Sequence, residues 1–318
     1  MDFIEQTFET LNQAIPDEVN QLILDSVEIA QIFPINQNER INSQILKADE
    51  FVFQPGASLT FTDISFPYIV VIAKKWKFVD ISQSFSIGFD RTIQAYDGRD
   101  GQSGRNGQNG QGEVNRRGND GQNGENGQDG ENGGFLTVPH IYLIAEEFIC
   151  NDVNQDIDRL KFVLDFRGIE GGDGGDGGNG GNGGQGADGK EGATQMFDCH
   201  EGAGQGGTGG TSGAGGKGGD AGRGTDGSTI YLIGKENVSE ILSYSKINNY
   251  GGRSGRSGRS GRPGKSGKPG NGGGGRGWCS PGPRGNYGQF PDPADFGDGI
   301  ESTDGEKGNV YKIKVNRL

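Results

Sequence analysis

The chain has 318 residues, carries a formal charge of −13 and contains 64 glycines. Glycine at about one residue in five lies outside ordinary globular usage and points to a repetitive architecture. The acidic balance argues against general nucleic-acid affinity, because phosphate neutralisation needs Lys and Arg presented as a net basic face. The three cysteines cannot all pair within one chain, and they are too few for a disulfide-stapled fold.

The amino-terminal residues lack the basic region and the continuous apolar region of a secretory signal. No stretch approaches the ~18 apolar residues of a transmembrane helix, so we expect no membrane insertion. The sequence therefore predicts a chain made without Sec export, which fits either a virion component or a cytoplasmic protein.

Residues 2–31 have apolar side chains at helical spacing. These side chains form two groups on either side of Pro16, namely Ile4, Phe8, Leu11 and Ile15, then Val19, Leu22, Ile23 and Val27. Because proline is tolerated at a helix start but not in a helix interior, two short helices are predicted. We expect residues 1–43 to form a helical cap or a segment that docks on a larger assembly. The alternative is that the helices only cover one end of the β core.

From residue 44 the pattern changes to the period of two that is typical of strands, which predicts a β region over 44–97. A similar β unit then recurs, since four segments align without gaps: 67–73, 139–145, 228–234 and 309–313. Their irregular spacing fits one coil interrupted by loops of different length. We therefore expect β units at 135–167 and 228–251 and a closing strand at 309–318.

Glycine tracts at 98–134, 168–227 and 252–308 separate these blocks. Glycine stands at every third position, without a miss from Gly168 to Gly192. A flexible linker needs no such register. Collagen has the same register but normally carries ~15–20% proline or more, whereas this chain has 11 prolines in all. Each tract also folds back on itself, which one strand of a parallel triple helix cannot do.

The remaining interpretation is polyglycine II, a left-handed threefold helix whose backbone hydrogen-bonds to neighbouring helices. Residues 171–184 repeat Gly-Gly-X, which leaves two bare faces, so the second hairpin (168–227) is expected to be central. The predicted fold class is mainly β plus polyglycine II. It combines short N-terminal helices and a small β stack, either β-helix-like or sandwich-like, with three hairpins of packed polyglycine II helices.

In glycine register over about 98–133, 168–222 and 252–275, the chain resembles known polyglycine II proteins. It is most similar to the distal adhesins of long tail fibres in some large phages, and more distantly to the springtail antifreeze proteins. The adhesins present variable receptor-binding loops at the distal ends of such helices. The resemblance therefore implies that the matching loops here, 113–117, 193–201 and 276–303, are binding loops.

These loops hold apolar and aromatic residues that are unusual in such polar surroundings. The candidate binding residues are Met196, Phe197, His200, Trp278, Tyr287 and Phe290. Exposed aromatic side chains favour recognition; the alternative is that they pack on one another and close the end of the bundle. Cys199, His200 and Cys279 are possible zinc ligands, but they lack the paired spacing of zinc sites, so no metal and no cofactor is predicted.

A cationic column is predicted on the third tract, because six basic residues recur at threefold spacing. They are Arg253, Arg256, Arg259, Arg262, Lys265 and Lys268. Such a column is a candidate site for an anionic polymer, such as lipopolysaccharide phosphate, a surface glycan or a nucleic-acid backbone. The alternative is a solvated face, or one neutralised by Glu125, Asp129 and Glu131.

The sequence contains none of the nucleophile-elbow, Walker A or zincin motifs and only two histidines, so we expect no enzymatic activity. The leading hypothesis is a binding scaffold whose loop tips recognise a surface receptor, a glycan or lipopolysaccharide, or another protein, with nucleic acid not expected as a partner. The second hypothesis is a cytoplasmic structural or adaptor subunit of a bacterial complex. An ice-binding protein is a third class, which the bulky side chains of the outer segments argue against.

Overall fold

The computed structural model describes residues 3–150, 160–235, 238, 242–292 and 296–317. Two short helices, α1 (Leu11–Ala14) and α2 (Asp17–Asp25), follow the first strand. The strands are β1 (Ile4–Thr10), β2 (Ala30–Ile35), β3 (Glu39–Ile41), β4 (Ile45–Phe53), β5 (Ser58–Phe61), β6 (Tyr68–Phe78), β7 (Ser84–Phe89), β8 (Glu113–Val114), β9 (Arg117–Gly118), β10 (His140–Cys150), β11 (Lys161–Asp165), β12 (Ala193–Gln195), β13 (Asp198–Glu201), β14 (Ile230–Gly234), β15 (Lys246–Asn248) and β16 (Val310–Arg317).

Two parallel sheets organise the chain. The larger has seven strands in the order β1-β16-β14-β10-β6-β4-β2, and the smaller has five in the order β15-β11-β7-β5-β3. From β2 onward the chain visits the two sheets alternately, so each coil adds one strand to each, whereas β1 joins the edge of the larger sheet beside β16. The aligned β units become neighbours in the larger sheet, where Ile141 pairs with both Ile69 and Ile230, and Ile230 pairs with Val310.

The main hydrophobic core contains alternate residues from both sheets, as expected where the apolar face of each sheet is turned inward. Aromatic rings dominate it: Phe53 stacks on Phe78 with ring centroids 4.7 Å apart, and Trp76 and Phe162 meet Phe53 at steeper angles. All four side chains are fully buried. Burial of this apolar surface is the main stabilising contribution to the fold.

The helices cover the other face of the seven-stranded sheet. Leu11, Ile15, Val19 and Ile23 are buried there in a second apolar cluster with residues of β6, β10, β14 and β16. The prediction of a helix through residues 4–10 is wrong, because this segment forms β1 and pairs in parallel with β16. The second predicted helix is found as α2, which begins directly after Pro16. Within the described residues, neither helix is long or apolar enough to cross a bilayer.

Within the described residues, the glycine tracts have no helix and, apart from two tip hairpins, no strand. They run as extended segments in two rows. The first row holds 97–111, 168–192 and 251–275, and the second holds 118–134, 202–227, 281–292 and 296–308. Within each row the segments are parallel and hydrogen-bonded at every third residue, as from the N–H of Gly98 to the carbonyl of Asp173 at 2.7 Å. Between rows the segments are antiparallel, and the two segments of the second tract lie between those of the first and third.

The register of these rows continues the register of the sheets. In the smaller sheet Val163 pairs with Lys246, and beyond the sheet the backbone N–H of Arg256 donates to the Asp173 carboxylate, at the same separation of 83 residues. In the larger sheet Ile230 pairs with Val310, and the N–H of Ile300 donates to the carboxylate of Asp220, both 80 residues apart. The first row therefore prolongs the five-stranded sheet, and the second row prolongs the seven-stranded sheet.

The predicted fold class is therefore wrong. The architecture is mainly β, with seven- and five-stranded parallel sheets and short helices in an α/β-like arrangement, and not a small β stack carrying a polyglycine II bundle. The prediction failed because it treated the glycine register as an independent helical assembly, whereas the position and register of the tracts follow from the sheets. Parts of the predicted β units (151–159, 236–237, 239–241), of the third tip loop (293–295) and of the closing strand (318) lie outside the described residues.

Candidate functional site

The ends of the tracts remote from the sheets form a tip built from three loops. Strands β8 and β9 make a hairpin joined by Asn115 and Arg116, which both have positive φ, of 49° and 71°. Two consecutive residues with positive φ form a type I′ turn, whose twist matches the right-handed twist of the flanking strands. Asparagine adopts positive φ more readily than most residues. Strands β12 and β13 make the second hairpin, and residues 276–281 form the third loop, which turns at Gly277 with φ of 51°.

Arg116 holds the first loop against the second. Its Nη1 forms an ion pair with the carboxylate of Glu201, its Nε donates to the carbonyl of Gly202 at 2.8 Å, and its Nη2 donates to the carbonyl of Glu191 at 2.5 Å. The planar guanidinium thus uses three nitrogens on three different residues of the neighbouring tract. This arrangement fixes the position of the first hairpin relative to the second.

A disulfide between Cys199 and Cys279 joins the second loop to the third, with the Cα atoms 4.8 Å apart. Next to it, Nε of Arg276 lies 3.3 Å from the carboxylate of Glu191. The disulfide uses both cysteines that were considered as zinc ligands, and within the described residues no group of three His, Cys, Asp or Glu side chains is arranged to hold a metal ion. All three loops are thereby fastened together.

The fastened tip carries exposed apolar side chains. Met196 is 93% exposed, Phe197 is 86% exposed and Trp278 is 69% exposed, and the nearby Val114 and His200 are also exposed. The tip aromatics therefore do not close the bundle by packing on one another, since none of these side chains is buried. The tip is therefore an apolar surface in contact with solvent.

Two of the predicted binding residues lie elsewhere. Tyr287 and Phe290 are exposed on the segment that returns from the tip, where the flanking glycines Gly285 and Gly288 donate to the carbonyls of Gly270 and Gly267. The guanidinium of Arg284 lies over the Tyr287 ring at 5.5 Å from its centroid. The structure thus separates the six predicted residues into a tip group and a flank pair. Val114 and Arg116 lie within the predicted binding loop 113–117, but neither was predicted individually, because the signal there was only the interruption of the glycine register.

The six residues of the cationic column all have exposed side chains along one edge of the first row. Among the described residues, none of the six lies within 4.0 Å of a carboxylate in an ion pair. The acidic residues proposed to neutralise them are engaged elsewhere. Glu125 pairs with Arg105 at 3.6 Å and Glu131 with Arg99 at 4.0 Å, while Asp129 accepts from the backbone N–H of Lys217.

The grooves in the described part of the chain are shallow. One of about 470 Å³ runs where the tracts meet the sheets and is lined by Phe135, Leu136, His140 and residues 223–229. His140 is exposed there, and its ring faces Tyr231 at 6.4 Å. The same lining includes Asp226, whose carboxylate pairs with Arg223 at 2.9 Å, and Ser228, which is buried.

No family model matches the chain, and no curated protein matches it. Among solved structures, the chain is weakly similar to a springtail antifreeze protein from Granisotoma rainieri, described as a bundle of nine polyproline type II helices. The identity is 21%, over 63% of this chain and 99% of that chain, with a TM-score of 0.09. A TM-score this low does not show a shared fold, so the similarity carries no argument about fold or function.

Proposed function

We propose that the chain is a non-enzymatic binding scaffold whose tip recognises a receptor on a cell surface or a partner protein, in the manner of a phage adhesin. The observation that carries this proposal is the combination of fastening and exposure at the tip. Arg116 and the disulfide fix the three loops, while Met196, Phe197 and Trp278 remain exposed.

Both parts of this combination favour binding. Large exposed aromatic side chains supply most of the binding energy at many protein interfaces, since they bury large areas while losing few rotamers. Holding the loops in one conformation beforehand lowers the entropy lost on association. The tip is also the part of the molecule furthest from the sheets along the tracts, where a partner meets little steric obstruction.

The test compares two double variants that each remove two exposed aromatic side chains. Phe197→Ala/Trp278→Ala changes the tip, and Tyr287→Ala/Phe290→Ala changes the flank of the same tract. Fluorescently labelled protein is titrated onto a panel of intact bacterial cells and onto a glycan array. Loss of two interface aromatics at ~2 kcal/mol each corresponds to a decrease in affinity of roughly 100-fold or more. We expect this decrease for the tip variant only. Equal losses for both variants, or none for the tip variant, would refute tip recognition.

A second candidate function is supported by the N-terminal region. Leu24 is 67% exposed and Val27 is 86% exposed, and Ile29 and Ile32 beside them are also exposed. This apolar patch favours docking of the chain as a subunit of a larger assembly. If Leu24→Ser/Val27→Ser abolishes co-purification with a partner while the tip variant does not, the adaptor function is favoured.

A further inference from the structure

The first row of extended segments presents a flat face with ordered polar side chains, which we call the ladder face. Its first two columns come from segments 97–111 and 168–192, and both have acidic residues near the sheets and mostly amides towards the tip. The first column contains Asp97, Asp100, Asn106 and Asn109. The second contains Asp173, Asp176, Asn179, Asn182, Gln185 and Asp188. Its third column is the cationic column, from Arg253 to Lys268. All of these side chains are exposed.

Backbone hydrogen bonds fix the orientation of the amides on this face. The Oδ1 atoms of Asn179 and Asn182 accept the backbone N–H groups of Arg262 and Lys265, each at 2.8 Å. An amide nitrogen cannot accept such a bond, so the assignment of O and N follows from the geometry. The Nδ2 groups have no protein acceptor among the described residues, and they therefore remain available to an external ligand.

Charge is graded along the cationic column. Near the sheets, Arg256 and Arg259 donate their backbone N–H groups to the carboxylates of Asp173 and Asp176, so carboxylates adjoin these cations. Towards the tip, the corresponding neighbours of Arg262 and Lys265 are neutral amides. The positive potential is therefore least compensated at Arg262 and Lys265. Lys268 follows them in the column, and the next carboxylate, that of Asp188, accepts from the backbone N–H of Asn271.

We propose that this part of the ladder face binds a linear acidic polysaccharide, with its carboxylates on Arg262, Lys265 and Lys268 and its hydroxyl groups on the amides of Asn179 and Asn182. Amide N–H donors beside cations match a ligand that alternates hydroxyl groups with sparse negative charge.

The spacing of charge favours a polysaccharide over a nucleic acid. Cations three residues apart on an extended segment are separated by at most about 10 Å, since an extended chain spans ~3.3–3.6 Å per residue. Duplex DNA carries one charge per ~1.7 Å of its axis, so most of its phosphates would find no cation here. A dense polyanion would also approach Asp173, Asp176 and Asp188 on a chain of formal charge −13.

The experiment measures binding of the full chain to hyaluronate, which has one carboxylate per disaccharide, with dextran as the neutral polysaccharide and duplex DNA as the competing polyanion. Asn179→Asp/Asn182→Asp keeps the Oδ1 acceptors but replaces the free donors with negative charge. The matched control is Asn123→Asp/Asn126→Asp on the opposite face, where the Oδ1 atoms accept from Thr211 and Ala214 in the same way at 2.8 Å.

A second pair of variants tests the cations. Arg262→Gln/Lys265→Gln/Lys268→Gln removes three charges from the column. Arg99→Gln/Arg105→Gln/Arg117→Gln removes the same charge from residues that are ion-paired with Glu131, Glu125 and Asp120.

We expect hyaluronate to bind the unmodified chain more tightly than dextran or DNA. The two ladder-face variants are expected to weaken binding by at least about tenfold, because each creates repulsion or removes a charge contact. The column variant should also make hyaluronate binding less sensitive to salt concentration, because fewer exposed charge contacts remain to be screened. The matched controls and the tip variant Phe197→Ala/Trp278→Ala should leave hyaluronate binding unchanged. The experiment therefore tests polysaccharide binding by the ladder face separately from recognition by the tip.

Three results would overturn the proposal: no preference for hyaluronate over dextran, equal weakening by the matched controls, or equal or tighter binding of DNA that is lost in the same variants. The last result would identify a nucleic-acid surface instead.

Discussion

Replacing Gly178 with alanine tests how the glycine tracts are held together. Gly178 lies in the second tract, where its N–H donates to the carbonyl of Gln128 and its own carbonyl accepts from Gly216, each at 2.8 Å. A Cβ at this position would lie 2.1 Å from the carbonyl oxygen of Gln102. That oxygen belongs to the backbone of the neighbouring segment, so no side-chain rotation relieves the clash.

The cost follows from this contact. The two segments must separate by about 1 Å before the Cβ has an acceptable distance, and overpacking of this kind typically costs about 1–3 kcal/mol. A hydrogen bond lost in the buried interior of the rows adds about 1–3 kcal/mol. We therefore expect Gly178→Ala to lower the free energy of unfolding by about 2–6 kcal/mol.

Gly202→Ala is the matched control, because a Cβ there meets nothing within 4 Å and φ is not positive. Alanine should stabilise this position by about 0.4–1 kcal/mol through the lower entropy of the unfolded chain. Urea unfolding followed by circular dichroism, with hydrogen exchange of the tract amides, measures both variants. If Gly178→Ala destabilises the chain no more than Gly202→Ala does, the close packing of the rows is refuted.

Further predictions concern the disulfide, acid stability and the helices. Cys199→Ser/Cys279→Ser removes a link between residues 80 positions apart, and we expect a loss of up to about 4.5 kcal/mol from loop-closure entropy, measured by thermal unfolding with and without reductant. Hydrogen bonds from the backbone N–H of Thr92, from Arg40 and from the Thr92 hydroxyl lower the pKa of Asp90 to about 2. The stabilisation by the Asp90 carboxylate is therefore present above the ordinary carboxyl pKa and is lost as the pH falls towards 2. We expect the urea midpoint to decrease less between pH 6 and pH 3 in Asp90→Asn than in the unmodified chain. Ile23→Ala should lower the free energy of unfolding by about 2–5 kcal/mol, because this side chain is buried against the larger sheet. The adjacent exposed Leu24→Ala should change it by no more than about 0.5 kcal/mol, and similar values for the two variants would contradict the packing of α2 on the sheet.

The aligned β units were readable from the sequence because each strand repeats the same apolar pattern in the same register. The segments around Ile69, Ile141, Ile230 and Val310 align without gaps and pair in that alignment. Residues 4–10 were misread, since their apolar spacing suits a helix. Their strand conformation comes from pairing with β16 about 300 residues away, which local sequence does not encode.

The tip was predictable in part. The break in the glycine register marked the loops, and several of the apolar and aromatic residues inside them, such as Met196, Phe197 and Trp278, are exposed at the tip. The role of Arg116 was not predictable, because its three acceptors belong to a different tract and meet it only when the loops are placed side by side. The pairing of Cys199 with Cys279 was likewise open, since three cysteines allow several pairings and spacing alone does not choose among them.

The requirement for glycine can be derived from the sheets. Neighbouring strands in a sheet lie about 4.8 Å apart, and the segments that continue them inherit a similar spacing. At this distance a Cβ directed at the neighbour in the same row collides with its backbone, as for Gly175 on Arg99 and Gly258 on Gly175, with distances of 2.0 and 1.9 Å. Strands avoid this collision because their side chains point above and below the sheet. In a threefold repeat, every third side chain instead points at the neighbouring segment of the same row. That residue is glycine along the regular part of each segment that has a predecessor in its row, and Ser302, between Gly299 and Gly305, is an exception.

A second glycine column occurs where a segment has neighbours on both sides in its own row and also meets the opposite row. The second tract lies between the first and third, so its two segments are the ones with neighbours on both sides in their rows. Gly174 would meet Gly219 across the rows at 2.2 Å, while Gly175 would meet Arg99 within its row at 2.0 Å. The Gly-Gly-X pattern of residues 171–184 thus follows from two contacts with different origins, strand spacing in one direction and row packing in the other. Because the third residue of each triplet is free of both contacts, it alone can carry the charges and amides of the ladder face.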